Sequence, residues 1–195
     1  DIVGFTMLNN ETQKFEFRPG AVFSNLLLAD EINRTSPKTQ AALLEAMEEH
    51  NVTVDGVTYD LPHPFITIAT QNPMGSAGTQ PLPESQLDRF MICLSIGYPN
   101  LEKQIEIIKS RRYDNPIERI EEVASKENVI EVQNYLSSVR ISDDVLKYIV
   151  LLCEKTREMP LVELGVSPRG VLALVQMAKA HAVLEDRIYV IPEDV

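Results

Sequence analysis

The chain has 195 residues, 44% of them hydrophobic and 24% charged, which is the composition of a globular protein with one sizeable core, or one domain and a small satellite. Its formal charge of -11, from 29 acidic and 18 basic residues, repels phosphate backbones and argues against sequence-independent nucleic-acid binding. No apolar run approaches the roughly 18 residues of a membrane span and the N-terminus shows no basic-then-apolar signal pattern, so the cytoplasm is the expected compartment. Cys93 and Cys153 sit far apart in apolar stretches without CxxC spacing, which reads as two buried free thiols. Asn-x-Ser/Thr matches at Asn10, Asn33 and Asn51 carry meaning only in a secreted protein and are read as chance.

In chain order, the first predicted element is a hairpin over Phe5 to Phe17, turning around Asn9 to Thr12. Asn25 to Ala29 holds the unbroken run Leu26, Leu27, Leu28, the pattern of a strand buried on both faces of a parallel sheet. Ser36-Pro37 offers an N-cap and a first-turn proline, and Ala41, Leu43, Leu44, Ala46 and Met47 supply the apolar face of a helix to about Glu49. Val52 to Val54 and Val57 to Tyr59 flank Asp55-Gly56, a strong hairpin signal. Phe65 to Thr70 is a second buried strand, completing a strand, helix, strand unit. Met91 to Ile96 reads as a third strand, and a helix runs from about Leu101 to Arg112. Beyond Asp114-Asn115-Pro116 the chain reads almost wholly helical, starting with a polar helix and then Val129 to Ser138. A helix capped by Ser142 runs to about Glu158 and buries Val145, Leu146, Ile149 and Leu152. Ser167-Pro168 opens another, with Val171, Leu174, Val175, Ala178 and Ala182 at helical spacing. The expected division is residues 1–113, an α/β part, and residues 114–195, a helical bundle.

The densest chemical signal is LLLADEIN. Asp30 and Glu31 stand at the carboxyl end of an apolar strand, the edge where open parallel sheets bind ligands, and adjacent strand residues point to opposite faces. One carboxylate could hold a magnesium ion, directly or through water, while the other orients an attacking water, as phosphoryl transfer requires. A solvated pair ending a strand is the plainer alternative. Gln71 and Asn72 follow the second strand and should lie near these carboxylates if the two strands are neighbours. Asn72 could then bond the attacking water or a terminal phosphate, or simply begin an Asn-Pro turn. Arg89, in QLDRF, could reach a neighbouring subunit's phosphate as an arginine finger does, or pair with Asp88 or Glu84. Arg169 lies in the first turn of a helix, where a cation opposes the macrodipole at a cost of about 0.3 to 1 kcal/mol. It would suit a phosphate there, or pair with Glu163. His181 lies in an amphipathic helix and reads as helix surface or packing, and His50 and His63 lie in loops with no acid or thiol arranged around them. Gly75 to Thr79 is too short for a phosphate loop and lacks a lysine, and no GxxxxGK[ST] occurs elsewhere.

Taken in order, LLLADEIN, ATQNP, LDRF and SPRG resemble the Walker B, sensor 1, arginine-finger and sensor 2 motifs of AAA+ ATPases of the MoxR family. FEFRPG, SPKTQAALLEAMEE, NVTVDGVTYDLPHPF and PLPESQLDRF extend the likeness over almost the whole chain. The resemblance implies a parallel-sheet α/β ATPase core, here incomplete, with inserted β-hairpins and a C-terminal helical lid. It implies ATP and Mg2+ as cofactors. On it Asp30 holds magnesium through water, Glu31 is the catalytic glutamate, Asn72 is sensor 1, Arg89 is the finger acting on the adjacent subunit, and Arg169 is sensor 2. Members usually form hexameric rings and remodel or activate protein clients, often with a von Willebrand factor A domain partner. The family's GxxGxGK[ST] loop would lie upstream of Asp1, so the resemblance implies that this chain is a piece of a longer, active ATPase and is inactive by itself. A non-hydrolysing adaptor or scaffold is the alternative that the absent loop leaves open.

Overall fold

The structure, a computed structural model, describes residues 2–72, 82–110 and 115–195. Strands β1 (Gly4–Asn9) and β2 (Lys14–Pro19) form an antiparallel hairpin with Asn9 opposite Lys14, as the sequence predicts. The Asn9 side chain accepts from the Glu11 and Thr12 amides at 2.9 and 3.2 Å, which folds the turn on itself. Gly4, at φ 98, meets Gly20 at the open end of this hairpin, where a Cβ on Gly4 would strike the Arg18 carbonyl.

Strand β3 (Leu26–Ala29) is followed by a 3-10 turn over Ile32–Arg34 and then by helix α1 (Pro37–Glu49). The Ser36 hydroxyl accepts from the Thr39 amide at 3.2 Å, Pro37 fills the first turn, and His50 ends the helix at φ 54. Strands β4 (Asn51–Val54) and β5 (Val57–Asp60) make the second hairpin, with Asp55 and Gly56 at φ 51 and 79. Both values are positive, as a two-residue type I′ turn requires. Strand β6 (Ile66–Ala69) lies parallel to β3, pairing Leu26 with Ile66 and Ala29 with Ala69. The predicted strand, helix, strand unit is therefore present. A short helix α2 (Glu84–Leu87) follows, and then α3 (Leu101–Ser110), α4 (Lys126–Ser138), α5 (Asp143–Glu158) and α6 (Pro168–Leu184). The glycines and threonine at 75–79, and the expected end of α3 at Arg112 and boundary at Asp114, fall outside the described residues.

Contacts divide the chain into two compact units, Asp1–Met91 with Cys153–Leu172, and Ile92–Leu152 with Ala173–Val195. The core of the first unit is built from Val22, Leu27, Ile32, Leu43, Ala46, Val52, Leu61 and Leu82. Against it sits an aromatic group in which the rings of Phe17 and Tyr59 stack at 4.1 Å and Phe23 meets both edge-on. In the second unit Val139, Val145, Ile149, Ala178, Ala182 and Val190 are buried. No helix among the described residues is long and apolar enough to cross a membrane.

Four sequence expectations are corrected. β3 is buried on one face only: Leu27 is inside, but Leu26 and Leu28 are 61% and 64% exposed, because among the described residues the β3–β6 sheet has two strands and one covered face. Residues Ile92 to Ile96 form no strand, since a strand exists only where a neighbour satisfies its amides and carbonyls, and none of the described strands pairs with it. On α5 the buried ridge is Val145, Ile149 and Cys153, at i, i+4 and i+8, and Leu152 lies outside it. Cys93 is exposed while Cys153 is buried, and both are free thiols.

Candidate active site

The parallel pairing of β3 and β6 brings together two segments that are 40 residues apart, and one step beyond Ala29 and Ala69 it sets Asp30 beside Thr70. The Thr70 hydroxyl donates to Asp30 Oδ1 at 2.5 Å and accepts the Glu31 amide at 2.8 Å. The Thr70 amide donates to the Ala29 carbonyl at 3.1 Å and the Ile32 amide to the Thr70 carbonyl at 3.0 Å. These bonds hold Glu31 in the left-handed region, at φ 48 and ψ 49, a conformation that costs a non-glycine residue about 1 to 3 kcal/mol and concentrates at functional sites. The two carboxylates are therefore separated by a backbone turn rather than by the pleat of a strand.

Both Glu31 oxygens are engaged. Asn72 Nδ2 donates to Oε1 at 3.3 Å and Arg34 to Oε2 at 2.6 Å. Asn72 is fixed in turn by Asn33, whose amide donates to the Asn72 carbonyl at 3.2 Å and accepts the Asn72 N–H at 3.3 Å. Asn33 is buried, so its match to a glycosylation motif has no structural meaning. Asp30, Thr70 and Asn72 face solvent and Glu31 is half-buried, so these groups line an open rim at the carboxyl edge of the sheet. Asp30 offers one exposed carboxylate, which suits a magnesium ion that keeps several waters and takes its remaining ligands from phosphate oxygens. Among the described residues no group of three or more His, Cys, Asp or Glu could hold a metal unaided.

The two candidate arginines meet elsewhere, at the far end of α1. Glu48, in the last turn of that helix, receives Arg89 at 2.5 Å through one oxygen and Arg169 through the other. The partners proposed from local spacing, Glu84 or Asp88 for Arg89 and Glu163 for Arg169, are replaced by a residue 41 and 121 positions away. Asp88 instead accepts the Ser167 hydroxyl at 2.6 Å, and that hydroxyl also caps α6 by accepting the Gly170 amide at 3.0 Å. The approach to α6 is fastened by Thr156, which accepts the Val166 amide at 2.9 Å, and by Arg157 Nε, which donates to the Val166 carbonyl at 2.9 Å. Arg89 lines a groove of about 450 Å³ with Ala41, Glu45, Glu48, Ser85 and Gln86.

Eleven steps of α1 separate Pro37 from Glu48, so roughly 17 Å of helix axis stands between the Glu31 end of the segment and the arginine pair. One set of residues presents carboxylates and an amide, and the other presents paired guanidiniums. Sequence reasoning singled out all five of these residues and missed Thr70, Asn33, Arg34 and Glu48, which orient them. Thr70 had a readable signal: a hydroxyl one step past the strand, in register with the acid of its parallel neighbour. Glu48 had none, because its partners are remote in sequence.

Comparison with known proteins bears on what this arrangement is. Residues 1–92 match the family described as ATPase family associated with various cellular activities (AAA), and residues 154–195 match the AAA lid domain. A crystal structure from Cytophaga hutchinsonii, provisionally named an ATPase, agrees with the whole of this chain and 62% of its own at a TM-score of 0.85 and 40% identity. The fold is that of an AAA+ ATPase, a parallel α/β unit with C-terminal helices.

An uncharacterized protein of Bacillus subtilis, YeaC, is 51% identical over all of this chain and 61% of its own length. Chaperone MoxR1 of Mycobacterium tuberculosis is 35% identical over all of this chain and 54% of its own. Protein MoxR of Paracoccus denitrificans is 30% identical over 85% of this chain and 54% of its own. The chain belongs to the MoxR family of AAA+ ATPases, and it spans between about half and three-fifths of the lengths of these relatives.

Proposed function

We propose that this chain carries the hydrolytic residues of an ATPase that remodels or activates partner proteins in a chaperone-like way. The observation that carries the reading is the hydrogen bond from Asn72 Nδ2 to Glu31 Oε1, beside Asp30, at the carboxyl edge of two parallel strands. Glu31 orients the attacking water and accepts its proton as the bond to the terminal phosphorus forms and the bond to the ADP oxygen breaks. Asn72 holds the Glu31 carboxylate in place and meets the water or the terminal phosphate. Asp30 holds magnesium through water, and the ion when bound neutralises phosphate charge. Arg89 and Arg169 supply positive charge to the transferring phosphoryl group. The arginine pair meets at the last turn of α1, roughly 17 Å of helix axis from the turn that starts it, and this favours a site shared between subunits, with the finger of one chain serving the glutamate of the next. That arrangement calls for a ring, of six subunits on the family pattern, in the cytoplasm. Protein clients, among them von Willebrand factor A domain proteins, are the proposed partners.

The test uses the full-length protein. Glu31→Gln should leave ATP binding intact and reduce turnover at least about 100-fold. Arg89→Ala should be equally inactive, and mixing the two inactive variants should restore part of the activity, because some junctions then combine an intact glutamate with an intact finger. Undiminished hydrolysis by Glu31→Gln sinks the catalytic assignment, and a mixture that stays dead sinks the shared site.

A further inference from the structure

We infer that Glu48 is a positioning residue for ATP hydrolysis, holding Arg89 and Arg169 together as one cationic pair. The inference rests on the roles given to those arginines above and adds a residue that they do not include. Two guanidiniums aimed at one phosphate repel each other, and a protein that needs them side by side must supply a counter-charge that does not block their outer faces. Glu48 meets this requirement: one carboxylate oxygen takes Arg89 and the other takes Arg169, so a single acid joins both and neither oxygen is shared. The carboxylate stands on a structured support, the last turn of a helix capped at its start by Ser36 and at its end by the His50 amide, which donates to the Ala46 carbonyl at 3.2 Å. Asp88 adds a second carboxylate at 4.0 Å from Arg169, while its other oxygen anchors Ser167 at the start of α6, the helix that carries Arg169.

The guanidiniums are not used up by this contact. Arg89 and Arg169 keep 34% and 41% of their side-chain surface exposed. The bonds to Glu48 therefore fix direction and leave donors for a second anion. Arginine's rigid fork makes such fixing effective, since its donors cannot swing independently. Glu48 touches no phosphate in this scheme and works only through the two arginines.

The experiment again uses full-length protein. Glu48→Gln keeps the shape and removes the charge, and it should lower kcat roughly 10- to 100-fold with little change in KM. Glu48→Asp should recover most of that loss. Because the defect lies on the arginine side of the junction, mixing Glu48→Gln subunits with Glu31→Gln subunits should restore activity, as mixing Arg89→Ala subunits with Glu31→Gln subunits should. A Glu48→Gln enzyme with undiminished or increased kcat overturns the inference, as does a defect that mixing leaves in place while the Arg89→Ala defect is relieved. Undiminished hydrolysis by Arg89→Ala is the separate result that removes the arginine assignment itself and this inference with it. A merely structural role for Glu48 predicts equal loss on either side of the junction, which the mixing result contradicts.

Discussion

Thr70 shows how much of this site depends on groups that do no chemistry. Its hydroxyl receives the Glu31 amide and donates to Asp30, so it holds a glutamate in a left-handed conformation and an aspartate at a fixed orientation with one oxygen. Thr70→Val has the same outline without the hydroxyl and leaves the Glu31 amide without this partner. We expect it to cost about 1 kcal/mol of stability in urea unfolding of the full chain and to lower kcat, whereas Thr70→Ser should remain near the parent in both. An unchanged Thr70→Val would mean that the Glu31 conformation is set by the 3-10 turn after it. At this scale the sequence was legible for charged and amide groups that stand out by type and motif: Asp30, Glu31, Asn72, Arg89 and Arg169. It was illegible for Glu48 and Asn33, whose roles come from partners 39 to 121 residues away and leave no trace in local spacing.

Among the elements, those written in local chemistry formed where they were expected. α1 begins at a Ser-Pro pair, and the second hairpin turns on Asp55-Gly56, where both residues adopt the positive φ that the type I′ turn demands. Such signals need only a few neighbouring residues to act. Met91 to Ile96 carries the apolar run of a strand, but a strand needs a partner to fill its hydrogen bonds, and composition cannot supply one. The same distinction separates the buried and exposed leucines of β3, since an apolar run states what a strand tolerates and the covering layers decide what it buries. α1 matters more than its length suggests, because it connects the carboxylate turn to Glu48. Its cap should therefore have two readouts: Ser36→Ala loses the bond to the Thr39 amide and should cost about 1 kcal/mol, seen as a lower urea midpoint. It should disturb activity less than Glu48→Gln does, because fraying at the first turn leaves the last turn in place. A loss of activity matching that of Glu48→Gln would show that the two ends of the helix respond as one.

Across the whole molecule, the unit that contains Ala173–Val195 is closed by a carboxylate with no solvent exposure of its side chain, Asp194. Arg187 grips it with two donors at 2.5 and 2.7 Å, His181 Nδ1 lies at 2.8 Å, and the Ile191 amide donates at 2.9 Å. The Arg187 guanidinium first, and then the Ile191 amide and His181, hold the Asp194 carboxyl well below the usual carboxylate range, against the opposing effect of burial. The sign follows from linkage. A carboxyl that binds its proton more weakly in the folded chain than in the unfolded one contributes stability that is complete above the unfolded value of about 4 and is lost as pH falls toward the lowered folded value. Unfolding in that window takes up one proton at this site. We therefore expect the thermal midpoint of the full chain to fall with pH below about 4. Asp194→Asn should be less stable at neutral pH, because Arg187 and His181 lose their anion, and its acid slope should be shallower by one proton. An Asn variant with the parent's slope would assign acid sensitivity to other carboxylates and leave Asp194 as a packing residue alone.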